Sequence, residues 1–197
     1  MVEIKPEQSV ELLKELHILT RDGKMNQDSR RKLKQVYHLT QFIEPLLKNI
    51  QLNQIDISLV DHGAGKSYLG FILYDLFFKA QQNASHIYGI ERRDDLVQKS
   101  TALAQRLNFP RMSFLNLSVT ESITSNKLPE KIDIVTALHA CDTATDDAIN
   151  FALKKHAQHI VLVPCCQAEV ASVLKKNKGK ALAKDALTDI WRPPIHT

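Results

Sequence analysis

From Ile55 onward, short apolar runs rich in β-branched residues alternate with longer stretches of helical period, and this alternation restricts the fold more than any other feature of the chain. IDISLVDHG, HIYGIE, MSFLNLSV, KIDIVTALHAC and HIVLVPCC read as strands. SYLGFILYDLFFKAQ, RDDLVQKSTALAQRLN and TATDDAINFALKKH read as the helices between them, with a turn region around Leu128 and Pro129. Strands joined through helices lie parallel rather than as hairpins, so the crossovers put helices on both faces of one α/β sheet.

Upstream of Ile55 the rhythm is helical only. SVELLKELHIL is interrupted at Gly23, after which DSRRKLKQVYHLTQFIEPLLKNI offers Asp28 or Ser29 as N-cap. Leu33, Val36, Tyr37, Thr40, Phe42, Ile43, Leu46 and Leu47 form its broad apolar face. The chain therefore divides into a helical extension, residues 1–52, and an α/β domain, residues 53–197. With 197 residues, 44% hydrophobic and 24% charged, it has enough apolar surface for a real core. No apolar run approaches the roughly 20 residues of a membrane helix, and MVEIKPEQ is too charged for a secretory signal, so a cytoplasmic protein without a membrane role is expected. Three cysteines, two of them adjacent at Cys165 and Cys166, cannot build a disulfide framework. A formal charge of +4 permits a polyanionic partner without implying one.

The stretch VDHGAGKSYLG ends its first strand with a glycine turn. Gly65, Lys66 and Ser67 match the close of G-x-x-x-x-G-K-[ST], but the opening glycine would fall at Val60, and the strand leaves no room for a triphosphate cradle. What fits is acid-x-Gly-x-Gly: Asp61, His62, Gly63, Ala64 and Gly65, with a helix beginning near Lys66 or Ser67. Thirty residues later (91 − 61) Glu91 closes the second strand, where a nucleotide-binding fold places the acid that accepts both ribose hydroxyls. A carboxylate suits a vicinal diol because it accepts two hydrogen bonds at once. The competing view is a solvated acid in the run ERRDD. A dinucleotide site needs G-x-G-x-x-G, and here the third glycine, Gly70, is off register.

DHGAGKSYLG, YGIE and the element order through LHACD resemble the class I S-adenosylmethionine-dependent methyltransferases. More narrowly, GAGKSYL, LHACDTATDDAI and VPCC are similar to a subgroup that includes tRNA 2′-O-methyltransferases and uncharacterised methyltransferase-domain proteins. The likeness covers roughly residues 55–170. It implies a Rossmann-like parallel sheet of order 3-2-1-4-5, S-adenosylmethionine as cofactor, and RNA, as tRNA or rRNA, as partner. It also implies that Asp61 and the turn with His62, Gly63, Ala64 and Gly65 lie against the methionine moiety, and that Glu91 holds the ribose. Asn116 and Leu117 would lie near adenine, and Leu138 and His139 beneath the reactive methyl. Two other functions compete: a cofactor-binding module without turnover, and an NAD-type oxidoreductase.

Ligands of open parallel sheets collect at the carboxyl ends of the strands. That rim gathers His62, His139, Cys141, Asp142, Cys165 and Cys166. His139 reads either as a general base or as a shaping wall, and the cysteines as small buried residues; no segment has metal-ligand spacing, so no metal is assigned. The family's sheet has seven strands, and the last two have no counterpart after VLVPCC. A longer parent chain or a homodimer covering the open edge is the expectation.

Overall fold

The computed structural model describes residues 4–138 and 143–163. Its elements follow the alternation. Helices α1 (Val10–Glu15) and α2 (Gln27–Gln51) precede β1 (Ser58–His62), α3 (Tyr68–Leu73), β2 (His86–Glu91) and α4 (Asp94–Arg106). Then come β3 (Met112–Asn116), α5 (Val119–Thr124), β4 (Ile134–Leu138), α6 (Thr143–Lys154) and β5 (His159–Val163). The five strands form one sheet in the order β3-β2-β1-β4-β5, parallel throughout, as expected.

Side chains alternate across this sheet. Leu59, Ile87 and Ile134 point into a core shared with α3 and α4, while Val60, Ile90 and Val135 point into a second core with Phe151 and Ala152 of α6. The upstream helices belong to the first core: Leu12, Leu13, Leu33, Ile43 and Leu47 are buried together with Leu59 and Phe71. After α3 the helix widens into one π turn, Tyr74–Phe78, which carries the buried Asp75. Asp75 Oδ2 accepts the Ser9 backbone N–H at 2.7 Å, so this turn fastens the start of α1.

Four local expectations change. The N-cap of α2 is Asn26, whose side chain accepts the Ser29 N–H; the helix begins at Gln27, so Asp28 and Ser29 already lie within its first turn. Phe42 leaves the buried face; it is 57% exposed and meets His38 edge-on at 5.0 Å. Strand β1 is shorter than the run IDISLVDHG and spans Ser58–His62. Helix α3 starts one to two residues late because Ser67, at φ 51, holds a left-handed conformation that no helix can include. Helix α5 is an addition. It stands on a capping box in which Ser118 and Glu121 bond reciprocally.

At the middle of β2, Gly89 lies across from Phe114 of β3. A Cβ on Gly89 would sit 2.5 and 2.8 Å from two Phe114 ring atoms, so the ring has taken the space that the glycine leaves. Gly89→Ala is expected to lose about 1–3 kcal/mol of stability through this overpacking, read as a lower urea midpoint at unchanged slope.

Candidate functional site

Strand order reverses between β1 and β4, and the crevice above their carboxyl ends is where an open parallel sheet takes a ligand. Asp61 stands at this edge, in register with Thr136 of β4 on one side and Gly89 of β2 on the other. It is 2% exposed. Its Oδ1 accepts the Thr136 hydroxyl at 3.0 Å and its Oδ2 the Ser67 hydroxyl at 3.3 Å. Burial raises its pKa from 3.8 to about 6, against the lowering effect of the two hydroxyls.

The turn that follows is tied to the end of β2. The Ala64 N–H donates to the Ile90 carbonyl at 2.9 Å, and the Gly65 N–H donates to Glu91 Oε2 at 2.9 Å. Gly63 and Gly65 have φ values of 68° and 58°, which favour glycine, and a Cβ on Gly63 would meet nothing within 4 Å. The backbone there is open to close approach. Gly70 finds its use in packing: a Cβ at this position would come 2.5 Å from Ser67 Oγ and 3.7 Å from Asp61 Oδ2. The glycine that is off register for a dinucleotide site thus lets α3 lie close behind Asp61.

Glu91 is 9% exposed at the end of β2. Burial pushes its carboxyl up, but the Arg93 side chain, the Arg93 N–H and the Gly65 N–H outweigh burial and hold it below the usual glutamate range. Oε1 accepts the Arg93 N–H and Arg93 Nε, each at 3.0 Å, and Oε2 accepts Arg93 Nη2 at 3.2 Å. His62 points to the other face of the sheet from Asp61. It packs against Phe151, ring centroids 5.3 Å apart, and its buried Nε2 has no partner among the described residues. Burial lowers its pKa, which Asp147 partly offsets, so the imidazole is neutral at physiological pH.

The structure brings Asp61, the Gly63–Gly65 turn and Glu91 to one edge and spreads the other expected residues around it. Asn116 ends β3, and its Nδ2 donates to the Arg92 carbonyl at 2.9 Å, tying the β2 and β3 ends together. Leu117 is half-buried against the second core and Leu138, the last residue of β4, against the first. His139, Cys141, Asp142, Cys165 and Cys166 lie outside the described residues. Sequence reading missed Thr136, Ser67 and Arg93. Thr136 had a signal, as a polar residue inside the apolar run IDIVTAL; Arg93 had none, because charges in ERRDD look solvated.

A family model described as a methyltransferase domain matches residues 31–173. No curated protein matches the chain significantly. Among solved structures, magnesium protoporphyrin IX methyltransferase from Synechocystis with bound S-adenosylhomocysteine superposes with a TM-score of 0.55 at 17% identity, over 85% of this chain and 73% of that one. The same enzyme with bound S-adenosylmethionine gives 0.50 at 14% identity, over 88% of each chain. At such identities the likeness is one of fold. Among the described residues, no helix is long and apolar enough to cross a membrane.

The raised pKa of Asp61 has a consequence for stability. Between pH 3.8 and about 6 the folded chain holds this proton more tightly than the unfolded chain, so stability falls as pH rises through that window and then levels off. The ionised carboxylate costs about 3 kcal/mol at neutral pH. Asp61→Asn, which keeps the shape and still pairs with both hydroxyls, is expected to recover on the order of 2–3 kcal/mol at pH 7.5 and nothing once both states of Asp61 are protonated. Urea unfolding across this pH range checks the sign.

Proposed function

The chain belongs to the methyltransferase-domain family matched across residues 31–173, and we propose that it binds S-adenosylmethionine at the β1–β2 edge and transfers the methyl group to RNA. The observation that carries this reading is the constellation of Asp61, the open Gly63–Gly65 turn and Glu91 at the strand-order reversal. Its residues fit the cofactor. Asp61 is ionised above about pH 6 with hydroxyl partners and, among the described residues, no cation, which suits the ammonium of the methionine moiety. Glu91 carries both acceptor oxygens that a ribose diol takes, and its depressed pKa keeps them charged. The backbone at Gly63 gives the chain between these two acids room to lie flat. When bound, S-adenosylmethionine supplies a methyl group on a sulfonium, whose leaving thioether is neutral. The protein's task is then alignment of an acceptor, which by itself lowers the barrier substantially. His139, directly after β4, is assigned to the acceptor side, where a neutral imidazole takes the proton of a ribose hydroxyl.

RNA is supported by the surface next to the turn. A cleft of about 370 Å³ opens between the end of α1, the start of α3 and one flank of α4. Lys66, Lys99, Arg106 and His17 line it, with Tyr68 beside them. Arg106 pairs with Glu15 at 2.6 Å and Lys99 with Asp95 at 3.3 Å, whereas Lys66 makes no ion pair among the described residues. Lys32 of α2, held above its ordinary pKa by its bond to Asp28 and more weakly by the field of Tyr68, extends the basic rim. Its neighbours Arg30, Arg31 and Lys34 are likewise exposed. Cations interleaved with an aromatic ring are what a single-stranded polyanion needs, phosphates on the first and a base on the second. The cleft adjoins the cofactor turn because Lys66 follows Gly65 directly.

Incubation with methyl-labelled S-adenosylmethionine is expected to label total RNA and not protein, and Glu91→Ala is expected to abolish incorporation. Label in protein or small molecules alone rejects the RNA acceptor; S-adenosylhomocysteine binding with no transfer leaves a binding module. Lys66→Glu is expected to weaken RNA binding at every sequence and to reduce the salt slope of log K by about 1, measured by fluorescence anisotropy across a salt series. An unchanged slope removes the cleft from the RNA surface.

A further inference from the structure

The Glu91 carboxylate is full. A carboxylate offers about four lone-pair positions, and four N–H groups of this chain occupy them: the Arg93 backbone and Nε on Oε1, the Gly65 backbone and Arg93 Nη2 on Oε2. A vicinal diol that bonds to both oxygens needs two of these positions. The two backbone donors are fixed by the turns that close β1 and β2 and cannot leave without dismantling the edge. The Arg93 side chain can. It is 65% exposed where the Glu91 side chain is 10% exposed, and it approaches from the solvent side.

We propose that Arg93 is a specificity-determining latch, whose guanidinium occupies the two Glu91 acceptor sites that a ribose diol takes and is exchanged for that diol when the cofactor binds. The inference rests on the ribose role given to Glu91 above. Three further observations fit it. Left with the backbone donors alone, a nearly buried carboxylate would be under-satisfied, so the latch keeps the cofactor-free edge folded. The guanidinium lies against the glycine turn, since a Cβ on Gly65 would be in ordinary contact with Arg93 Nη2 at 3.7 Å. A displaced guanidinium has somewhere to go, because Asp95 in the first turn of α4 also acts on Arg93.

The exchange sets both affinity and selectivity. Each bidentate partner replaces another, so a ligand with both ribose hydroxyls recovers what it displaces. A ligand lacking them displaces nothing and binds with the latch shut. Removing the guanidinium therefore helps the first ligand and leaves the second unaffected, whereas a general loosening of the edge would alter both together.

Calorimetry with S-adenosylhomocysteine and with its 2′,3′-dideoxyribose analogue, on the full chain and on Arg93→Ala and Arg93→Lys, tests this. Arg93→Ala is expected to bind S-adenosylhomocysteine about two- to five-fold more tightly, within the range for loss of one largely exposed ion-pair partner, with affinity for the analogue unchanged. Arg93→Lys should fall between, since an ammonium cannot bridge two oxygens as a planar fork does. Equal or weaker binding of S-adenosylhomocysteine by Arg93→Ala, or equal tightening of both ligands, overturns the latch while leaving the cofactor reading standing. No binding by the unaltered chain overturns both.

Discussion

Strand β1 is hydrogen-bonded on both edges and buried on both faces, and the rest of the molecule is arranged around that double burial. Its parallel pairing agrees with this burial, since the helical crossovers of a parallel sheet cover both faces. The chain must then leave β1 at its carboxyl end by a turn narrow enough to pass between α3 and the end of β2. Positive φ at Gly63, Gly65 and Ser67 accomplishes this, and the Ala64 and Gly65 amides are secured to β2 as the turn is made. The open crevice beside the turn is a by-product of strand order, because β1's two neighbours send their crossovers to opposite faces.

Two buried aspartates mark the difference between scaffold and site. Asp133, at the amino edge, accepts the Ser58 N–H and hydroxyl on Oδ2 and the Gln158 amide on Oδ1, which joins the starts of β1, β4 and β5. Asp61, at the carboxyl edge of the same sheet, has two hydroxyls and, among the described residues, neither an N–H nor a cation, and burial raises its pKa. A carboxylate buried with too little compensation is an expense that a fold can avoid, and its position on the ligand edge is what makes it informative. His62, whose buried Nε2 has no partner among the described residues, shows the same tension in a neutral group at the same edge. Glu91 is the opposite case: it is fully satisfied, but in part by a side chain able to leave.

Much of this was legible in advance. Short runs rich in apolar and β-branched residues made β1, β2 and β4 stand out, and Glu91 was marked by its place at the end of one of them. The Ser118–Glu121 capping box was also written in the chain as S-x-x-E, yet six residues of helix give too little period to notice. Phe42 fell on an apolar face by spacing and on the exposed side in fact, since the width of a buried face depends on what packs against it. Asn116 was recognisable as a strand-end residue, but its bond to the Arg92 carbonyl depends on β3 lying beside β2.

The sequence by itself determined the alternation of strand and helix, the glycine turn after Asp61 and the acids at the carboxyl ends of the first two strands, because these follow from local period, local φ and position along the chain. Only the tertiary structure decided that Asp61 faces Thr136, that Gly70 makes room behind it and that the Arg93 guanidinium lies across Glu91 and Gly65. The first two join groups far apart in the chain or one helical step away, and no period encodes them. The third joins neighbours, Glu91 and Arg93, whose pairing depends on the Gly65 amide and the buried end of β2 holding the carboxylate in place for the guanidinium to reach.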